Sequence, residues 1–285
     1  MSSPRIAIAT CAAYADLKAD DRLLGEALAA RGCEPRNVVW NEPGIEWRNF
    51  DLCLIRSTWD YHEGHAEYLA WAGRVETQCK LRNSAEVVTW NSDKRYLREF
   101  EARGIRTVPT LWVDRDSPLD LERILAGAGW QEAVVKPVVD LGARNLRRVR
   151  AGESSTALES ILQSHDAMIQ PFLPSLEEKG ELSLIYVGGE LTHSVRKRPA
   201  AGDFRVQSIW GGSVTHDRPT LAERELAEAA MEEFKQAPLY ARVDLVEGPT
   251  RDPCLIELEL IEPNLYLIEH PPAAEALADA ALRLL

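Results

Sequence analysis

Apolar runs of four to six residues alternate with amphipathic, helix-length segments in the first part of the chain. Their continuous apolar character is typical of strands buried on both faces of a parallel sheet. The three clearest runs are R-I-A-I-A-T (5–10), R-N-V-V-W (36–40) and D-L-C-L-I-R (51–56). Between the first two, Asp20 or Asp21 is predicted to cap a helix and Gly32 to end it. This alternation predicts an α/β fold with a parallel sheet.

Polar side chains follow two of these strands. Thr10 ends the first run, and the cluster R-S-T-W-D-Y (56–61) follows the third. Ligands of parallel sheets bind at the carboxyl ends of the strands, so this cluster is a candidate edge of a small-molecule site. A helix-capping turn around a buried tryptophan explains the same cluster equally well.

The character of the chain changes at about residue 85. A helical segment, S-D-K-R-Y-L-R-E-F-E-A-R-G, is predicted to begin with Ser92 as its N-cap and to end at Gly104. Beyond it, longer stretches with strand-like alternation predict antiparallel strands and fewer helices. We therefore predict an N-terminal α/β substrate domain over residues 1–85 and a second domain over residues 86–285.

Charged residues interrupt two apolar strands near the C-terminus. In A-R-V-D-L-V, period two places Arg242 and Asp244 on one face. In L-I-E-L-E-L, it places Glu257 and Glu259 side by side, where like charges raise each other's pKa unless a positive charge lies between them. Three carboxylates on neighbouring strands offer the oxygen ligands that Mg²⁺ prefers. A structural ion pair and an edge strand with exposed charges are the alternative interpretations.

A lysine ends another strand, A-V-V-K-P, at Lys136, and the loop V-D-L-G-A-R-N follows it. Such a lysine can hold phosphate oxygens as a point charge. A solvated lysine at a strand end is the alternative.

The charge balance excludes some classes of function. The 285 residues carry 45 acidic and 33 basic side chains, a net charge of −12, which argues against a nucleic-acid-binding groove. No apolar run approaches the roughly 18 residues of a membrane span, and the N-terminus lacks the regions of a signal peptide, so a cytoplasmic protein is predicted. The five cysteines, an odd number without a C-x-x-C motif, are expected to be buried thiols. The sequence predicts no particular oligomeric state.

The order and spacing of six segments resemble the ATP-grasp superfamily, most of all its glutathione synthetase-like and D-alanine:D-alanine ligase-like branches. The segments are W-N-S-D-K-R-Y-L, V-V-K-P, Q-P-F-L, G-E-L-S-L, R-V-D-L-V and L-I-E-L-E-L-I-E-P-N-L. The resemblance runs from Glu86 to the C-terminus and implies an ATP-grasp fold preceded by an N-terminal parallel α/β domain. It further implies a nucleotide-covering subdomain at about 115–172 and a catalytic subdomain at 173–285.

The resemblance also implies ATP and Mg²⁺ as cofactors and roles for individual residues. Arg205 would grip the transferred phosphate or the substrate carboxylate, and Arg242 would stabilise the charge on the transferred phosphoryl group. The implied metal ligands are Asp244, Glu257 and Glu259. The implied nucleotide contacts are Lys94, Lys136, Gln170, Pro171, Phe172, Leu173 and Glu181.

Two departures from the family pattern change these expectations. The metal motif of the relatives usually reads E-x-N, whereas Glu259 stands at the Asn position and adds negative charge. The loop that covers the phosphates is usually rich in Gly and Ser, but this chain offers Gly142 and the side chain of Arg144. The loop is therefore expected to hold phosphate by a side chain rather than by backbone N–H groups.

The family resemblance implies a carboxylate–amine ligase that activates a small amino-acid-like substrate as an acylphosphate and releases ADP and phosphate. The N-terminal polar segments are similar to those of the cyclo-ligases of D-cycloserine biosynthesis, which implies closure of O-ureido-D-serine to D-cycloserine. Thr10, Ser57, Thr58 and Tyr61 would then line the substrate pocket. The alternatives are an intermolecular amino acid or dipeptide ligase, a small-molecule kinase, and a non-catalytic nucleotide-binding module.

Overall fold

The computed structural model describes residues 3–117, 120–153, 156–234 and 236–285, which contain three β-sheets. The first part of the chain contributes β1 (Arg5–Thr10), α1 (Ala19–Ala30), β2 (Glu34–Val39), β3 (Leu52–Ile55), α2 (His65–Glu76) and β4 (Lys80–Arg82). The four strands form a parallel sheet in the order β2-β1-β3-β4, which confirms the predicted parallel α/β arrangement.

The second sheet is antiparallel and comes from the middle of the chain. This part contributes α3 (Ala85–Asn91), α4 (Tyr96–Ala102), β5 (Leu111–Val113), α5 (Leu121–Ala128), β6 (Glu132–Pro137), β7 (Arg147–Arg150), α6 (Thr156–Leu162) and β8 (Ala167–Pro171). The strand order is β5-β8-β6-β7. Because β5 belongs to this sheet, the sheet starts before the predicted subdomain limit at residue 115.

The last part of the chain forms a five-stranded antiparallel sheet. Its elements are α7 (Ser175–Glu178), β9 (Glu181–Val187), β10 (Glu190–Arg198), β11 (Ser213–His216), α8 (Leu221–Glu232), β12 (Tyr240–Glu247), β13 (Pro253–Glu259) and α9 (Pro272–Leu282). The strand order is β11-β10-β9-β12-β13. None of the helices in the described ranges is long and apolar enough to cross a membrane.

The first and third sheets share one hydrophobic core. Ile6 of β1 packs with Leu24 of α1 in a cluster that also contains Leu277 of α9 and Ile185 of β9. The next residue of β1, Ala7, points to the opposite face and packs in the cluster beneath α2. Period two therefore buries both faces of the parallel sheet, and one of these faces joins it to the third sheet.

The second sheet has a core that is largely its own. Val135 of β6 and Ile169 of β8 pack with Leu125 of α5 and Leu158 of α6. Met168, the neighbour of Ile169 in β8, instead belongs to the core beneath the third sheet.

Two of the predicted helix caps are wrong. Asp20 and Asp21 lie in the first turn of α1 rather than at its N-cap, which is Lys18. Ser92 follows α3, and its hydroxyl donates to the carbonyl of Thr89 instead of capping α4. These polar side chains have tertiary or local partners that the linear pattern does not reveal. The predicted helix ends at Gly32 and Gly104 are confirmed, because both residues have a positive φ, +79° and +82°.

Helix side chains hold the free edge of β13, the outermost strand of the third sheet. Asn91 Nδ2 donates to the carbonyl of Leu258 at 2.8 Å, and Asn91 Oδ1 accepts the N–H of Leu260 at 2.8 Å. The hydroxyl of Tyr96 bonds both backbone groups of Leu258 at 2.9 Å, and Asn83 donates to the carbonyl of Leu260 at 2.7 Å. The backbone of Arg106 and Val108 bonds Leu255 at the same edge. Side chains and one isolated bridge therefore pair this edge, where the described residues provide no further named strand, and they fix its orientation.

A buried ionic network ties α1 to the loop that follows β13. Arg56, 1% exposed, donates to Asp21 Oδ1 at 2.8 Å and to the carbonyl of Pro263 at 2.7 Å. Asp20 Oδ1 accepts the N–H of Ile268 at 3.0 Å. Burial, reinforced by the neighbouring Asp21, raises the pKa of Asp20 to about 6.

Replacement of Asn91 by Ala should destabilise the protein, because it leaves the N–H of Leu260 buried without a partner. We expect a loss of about 2–4 kcal/mol in the free energy of unfolding, measured by urea denaturation. Asn49→Ala, which removes one exposed bond to Glu46, is the control and should cost less than about 0.5 kcal/mol. Equal losses in the two variants would contradict the proposed role of the paired edge.

Replacement of Asp20 by Asn should stabilise the protein above pH 6. The pKa of Asp20 is higher in the folded state than its ordinary value of 3.8, so wild-type stability falls as the pH rises between about 4 and 6. Asn does not ionise, yet its oxygen still accepts the N–H of Ile268. We expect a gain of about 1–2 kcal/mol at pH 7.5 that disappears at pH 4. Urea denaturation at several pH values between 4 and 7.5 measures the gain, and Asp16→Asn, an exposed replacement, is the control. If the stabilities of the wild type and Asp20→Asn change with pH in parallel, the prediction is wrong.

Candidate active site

One face of the third sheet carries a row of charged side chains from four adjacent strands. The strand register sets Arg242 opposite Glu259, Asp244 opposite Glu257, and Asp244 opposite Ser183 on the other side. The alternation predicted from the sequence is therefore observed for both pairs. The residues of this face are Glu181, Ser183, Lys197, Arg242, Asp244, Glu257 and Glu259.

A cavity of about 220 Å³ opens above this face, between the second and third sheets, and reaches the segments that follow β1 and β3. Its wall includes Tyr14, Lys18, Trp59 and Tyr61 from the first part of the chain, Lys136, Gln170 and Leu173 from the second sheet and its connections, and Glu181, Lys197, Arg242, Glu257 and Glu259 from the third. A concave site that joins several structural units is the usual location of a small-molecule site.

Side-chain cations compensate the two neighbouring glutamates. Lys94 Nζ lies 3.0 Å from Glu257 Oε1. Arg242 donates to Glu259. Its Nε and Nη2 also donate to the two carboxylate oxygens of Asp244, at 2.8–3.1 Å. The positive charge that the sequence pattern requires beside these carboxylates thus comes from the protein itself.

The two glutamates differ in how well their charges are compensated. Burial acts to raise the pKa of Glu257, but Lys94 and Lys136 hold it below its ordinary value. Burial raises the pKa of Glu259 to about 7, because Arg242 opposes it only in part and Glu257 adds to it. Glu259 is therefore the carboxylate of this pair that gains most from a further cation.

Asp244 lies behind the two glutamates. It is 1% exposed, accepts from Ser183 and Arg242, and lies 3.3 Å from Lys197 Nζ. Burial acts to raise the pKa of Asp244, but Arg242 and Lys197 hold this pKa well below its usual range. Its oxygens are occupied, and it does not line the cavity.

The donor set facing the cavity fits Mg²⁺ in chemical type. Glu257 and Glu259 each expose 27% of their side chains and offer carboxylate oxygens. Within the described ranges, however, no group of three or more His, Cys, Asp or Glu side chains converges as a metal site. The two glutamates are thus neighbouring oxygen donors for an ion that enters with further ligands of its own, such as phosphate oxygens.

Lys136 is a half-buried cation with no ion-pair partner in the part of the chain that the structure describes. Burial, opposed by Glu257, lowers the pKa of its ammonium group. Lys197, in contrast, is paired with Glu181 and Asp244. No sequence pattern assigned Lys197 to the site, and its only signal was the basic stretch V-R-K-R-P. An anionic ligand would supply the missing partner of Lys136.

The strand end after β8 forms one side of the cavity. Pro171 and Leu173 line it, and Gln170 lies beside them and donates to the hydroxyl of Thr110 at 3.0 Å. Phe172 does not line it, because its ring packs under the guanidinium of Arg148 at 3.5 Å. This placement corrects the predicted contact of the Phe172 side chain.

Several apolar lining residues were missed by the sequence analysis, among them Phe204 and Ile256. Phe204 lies on the wall and contacts Phe172 edge to face at 5.9 Å. Ile256 also lines the cavity, because a bulge after Asp244 in the β12–β13 pair breaks the simple alternation next to Glu257.

Two loops meet at the mouth of the cavity. The carbonyl of Gly142 accepts the indole N–H of Trp210 at 3.0 Å, and Gly142 has a positive φ of +68°. Arg205 stacks on Trp210 at 3.6 Å and pairs with Asp203 at 2.6 Å, which raises its pKa. Arg144 lines the cavity with an exposed side chain. Both predicted arginines thus reach the mouth, and Arg205 already has an anionic partner.

Three of the four predicted substrate residues do not reach the cavity. Thr10, Ser57 and Thr58 are fully buried, since α1 and the segment after β3 cover the strand ends. Their hydroxyls bond the carbonyl of Tyr14, the carboxylate of Asp21 and the hydroxyl of Tyr68, respectively. Tyr61, the fourth, lines the cavity and stacks on Tyr68. The residues from the first part of the chain that line the cavity instead are Tyr14, Lys18 and Trp59.

Comparison with protein families matches the two parts of the chain separately. Residues 6–83 match the family described as D-cycloserine synthetase DcsG, N-terminal domain. Residues 115–263 match the family described as prokaryotic glutathione synthetase, ATP-grasp domain. The cycloserine biosynthesis protein DcsG of Streptomyces lavendulae is 28% identical over 277 residues, 92% of either chain. The glutathione synthetase of Prochlorococcus marinus (strain MIT 9313) is 33% identical over 247 residues, 82% of this chain and 75% of that protein.

Solved structures show the same architecture. The crystal structure of D-cycloserine synthetase DcsG superposes with a TM-score of 0.88 at 27% identity, over 99% of this chain and 100% of that one. The D-alanine–D-alanine ligase of Bacillus anthracis complexed with ATP superposes with a TM-score of 0.71 over 99% of this chain and 98% of that one. At 18% identity, the second likeness establishes the fold alone.

Proposed function

Because the chain belongs to the ATP-grasp ligases, enzymes that form C–N bonds, we propose that it activates a substrate carboxylate with ATP and joins it to an amine. The observation that carries this proposal is the charge arrangement of the cavity. Lys94, Lys136 and Arg242 face the same space as Glu257 and Glu259, which suits a ligand that combines phosphates with a divalent cation.

The nucleotide is proposed to lie between the second and third sheets. Pro171, Leu173 and Ile256 offer an apolar surface for the base, with Gln170 beside it. Glu181, 7% exposed and paired with Lys197, is proposed to meet the ribose. The phosphates would then reach Lys136, a half-buried side chain that has no other ion-pair partner in the described residues.

Glu257 and Glu259 are the residues proposed to hold Mg²⁺. When bound, Mg²⁺ supplies positive charge that neutralises phosphate oxygens during transfer. Asp244, enclosed by Ser183, Arg242 and Lys197, would orient Arg242 and come within reach of a metal ion only after these contacts rearrange.

The proposed reaction has two steps. A carboxylate oxygen of the substrate attacks the γ-phosphorus of ATP, the bond to the β-phosphate oxygen breaks, and ADP leaves. The amine nitrogen then attacks the carbonyl carbon and loses a proton, while the bond to the phosphate oxygen breaks and releases phosphate. Arg242 stabilises the charge on the transferred group, and Lys94 and Lys136 hold the phosphates, so positioning and electrostatics supply the catalysis.

The proposed substrate is O-ureido-D-serine, closed to D-cycloserine. The ureido nitrogen that is bonded to oxygen attacks the acylphosphate carbon and loses a proton as phosphate leaves. Water then removes the carbamoyl group from that nitrogen as carbamic acid, which decomposes to CO2 and ammonia. The support is the similarity to DcsG along both domains, including the N-terminal part that forms the Tyr14, Lys18, Trp59 and Tyr61 end of the cavity. An intermolecular amino acid ligase is the second candidate, because residues 115–263 match the glutathione synthetase family.

Glu257→Gln should lower ADP release at least about 100-fold, because it removes a charged oxygen ligand and the partner of Lys94. The measurement is coupled ADP release over a range of Mg²⁺ concentrations, with circular dichroism as a check on folding. Glu122→Gln, an exposed replacement on α5, is the matched control and should retain activity. An unimpaired Glu257→Gln enzyme would rule out the metal-binding role.

Purified protein with Mg-ATP and O-ureido-D-serine as the only other substrate should release ADP and phosphate in step with the appearance of D-cycloserine. Chromatography and a phosphate assay measure the three products, and O-ureido-L-serine is the matched control. Release only after addition of a second amino acid or amine would favour the intermolecular ligase. A stable phosphorylated product would favour a kinase, and no release with any combination would favour a nucleotide-binding module.

A further inference from the structure

Glu262 is a buried carboxyl group that the proposed reaction does not yet use. It lies three positions beyond Glu259, is 5% exposed, and lines the cavity. Its backbone carbonyl accepts the indole N–H of Trp59 at 2.9 Å, which fixes the chain at this point. Among the described residues, its carboxylate has no hydrogen-bond or ion-pair partner. A buried carboxylate without a partner costs free energy unless a cation binds it.

The neighbouring cations are already engaged. Lys94 pairs with Glu257, and Arg242 binds Asp244 and Glu259. Burial, followed by the charge of Glu259, raises the pKa of Glu262 well above its ordinary value. The potential at this end of the cavity therefore favours a proton or an incoming positive charge.

Aromatic rings surround this end of the cavity. Trp59 meets Tyr14 edge to face at 5.2 Å, and the ammonium group of Lys18 lies 4.1 Å from the Trp59 ring. Tyr61 also lines the wall, and its hydroxyl has no hydrogen-bond partner within the described ranges. Ring faces attract ammonium groups, as the Lys18 contact illustrates, whereas Mg²⁺ requires oxygen ligands and keeps its water. An organic ammonium group is therefore the cation that fits.

We propose that Glu262 binds the positively charged amino group of the substrate, beside the ring of Tyr61. This inference rests on the proposed function, in which the substrate carboxylate attacks the phosphoryl group whose charge Arg242 stabilises. An α-amino acid carries its ammonium group within a few bonds of its carboxylate, and Glu262 follows Glu259 on the same wall of the cavity. The substrate class is thus an amino acid with a free α-amino group, and N-acylated and deamino compounds are excluded.

Glu262→Gln tests the assignment with two compounds that differ only in the amino group. The compounds are O-ureido-D-serine and its deamino analogue, 3-(ureidooxy)propanoate. We expect the wild-type kcat/KM to favour the amino compound at least 100-fold. In Glu262→Gln, KM for the amino compound should rise 10- to 100-fold, while kcat/KM for the deamino compound changes less than threefold. The activation constant for Mg²⁺ and KM for ATP should remain unchanged.

Glu63→Gln, an exposed replacement on the turn before α2, is the matched control, and thermal unfolding checks that each variant is folded. Equal losses for both compounds in Glu262→Gln would overturn the proposal in favour of a structural role. A raised Mg²⁺ requirement with unchanged preference for the amino compound would overturn it in favour of a metal ligand.

Direct binding of ethylammonium separates this inference from the choice of substrate. Tryptophan fluorescence reports the titration, since Trp59 contacts Glu262, and sodium chloride at equal ionic strength is the reference. We expect millimolar binding by the wild type and binding at least tenfold weaker by Glu262→Gln. If O-ureido-D-serine is not turned over but this difference is found, the substrate proposal fails and the amino-group site stands. Equal or absent binding in the two proteins overturns the site itself.

Discussion

The guanidinium of Arg242 lies between two carboxylates, Asp244 on its own strand and Glu259 on the next, and the rest of the site is arranged around this contact. Lys94 performs the same compensation for Glu257, and Lys197 for Glu181. The sheet face can therefore keep several like charges in a water-poor cavity without losing its stability. A ligand that carries both phosphates and a divalent ion would exchange these contacts for equivalent ones, so the total charge of the site changes little on binding.

This arrangement needs a strand that does not shift its register. A slip of one residue in β13 would turn Glu257 and Glu259 away from the charged face and place the side chain of Leu258 on that face instead. The side chains of Asn91 and Tyr96 bond the backbone on the free edge of the strand, where another β-strand would otherwise be required. The edge thus remains closed to pairing with other chains while its carboxylates stay open to the cavity.

Regular alternation made the fold and the charged face predictable from the sequence. Period two was enough to place Arg242 with Asp244, because both lie within one uninterrupted strand. It failed at Ile256, where a bulge adds a residue to one strand only. The sequence pattern also failed to predict that Ser57 is buried, because the exposure of a residue at a strand end depends on which helix covers it. Glu262 follows the end of β13 and belongs to no periodic element, so only its burial in three dimensions reveals it.

The distribution of hydrophobic cores limits how the cavity can open. Leu277 of α9 packs in one cluster with residues of both the first and the third sheet, so these two sheets behave as a single rigid wall. Val135 and Leu125 pack in a separate cluster within the second sheet. The proposed nucleotide site lies between this wall and the second sheet, so the second sheet, with its largely separate core, is the element that could move as a lid when a ligand enters or leaves. Such a movement would leave the charged face intact from one turnover to the next, because that face belongs to the wall that the first and third sheets share.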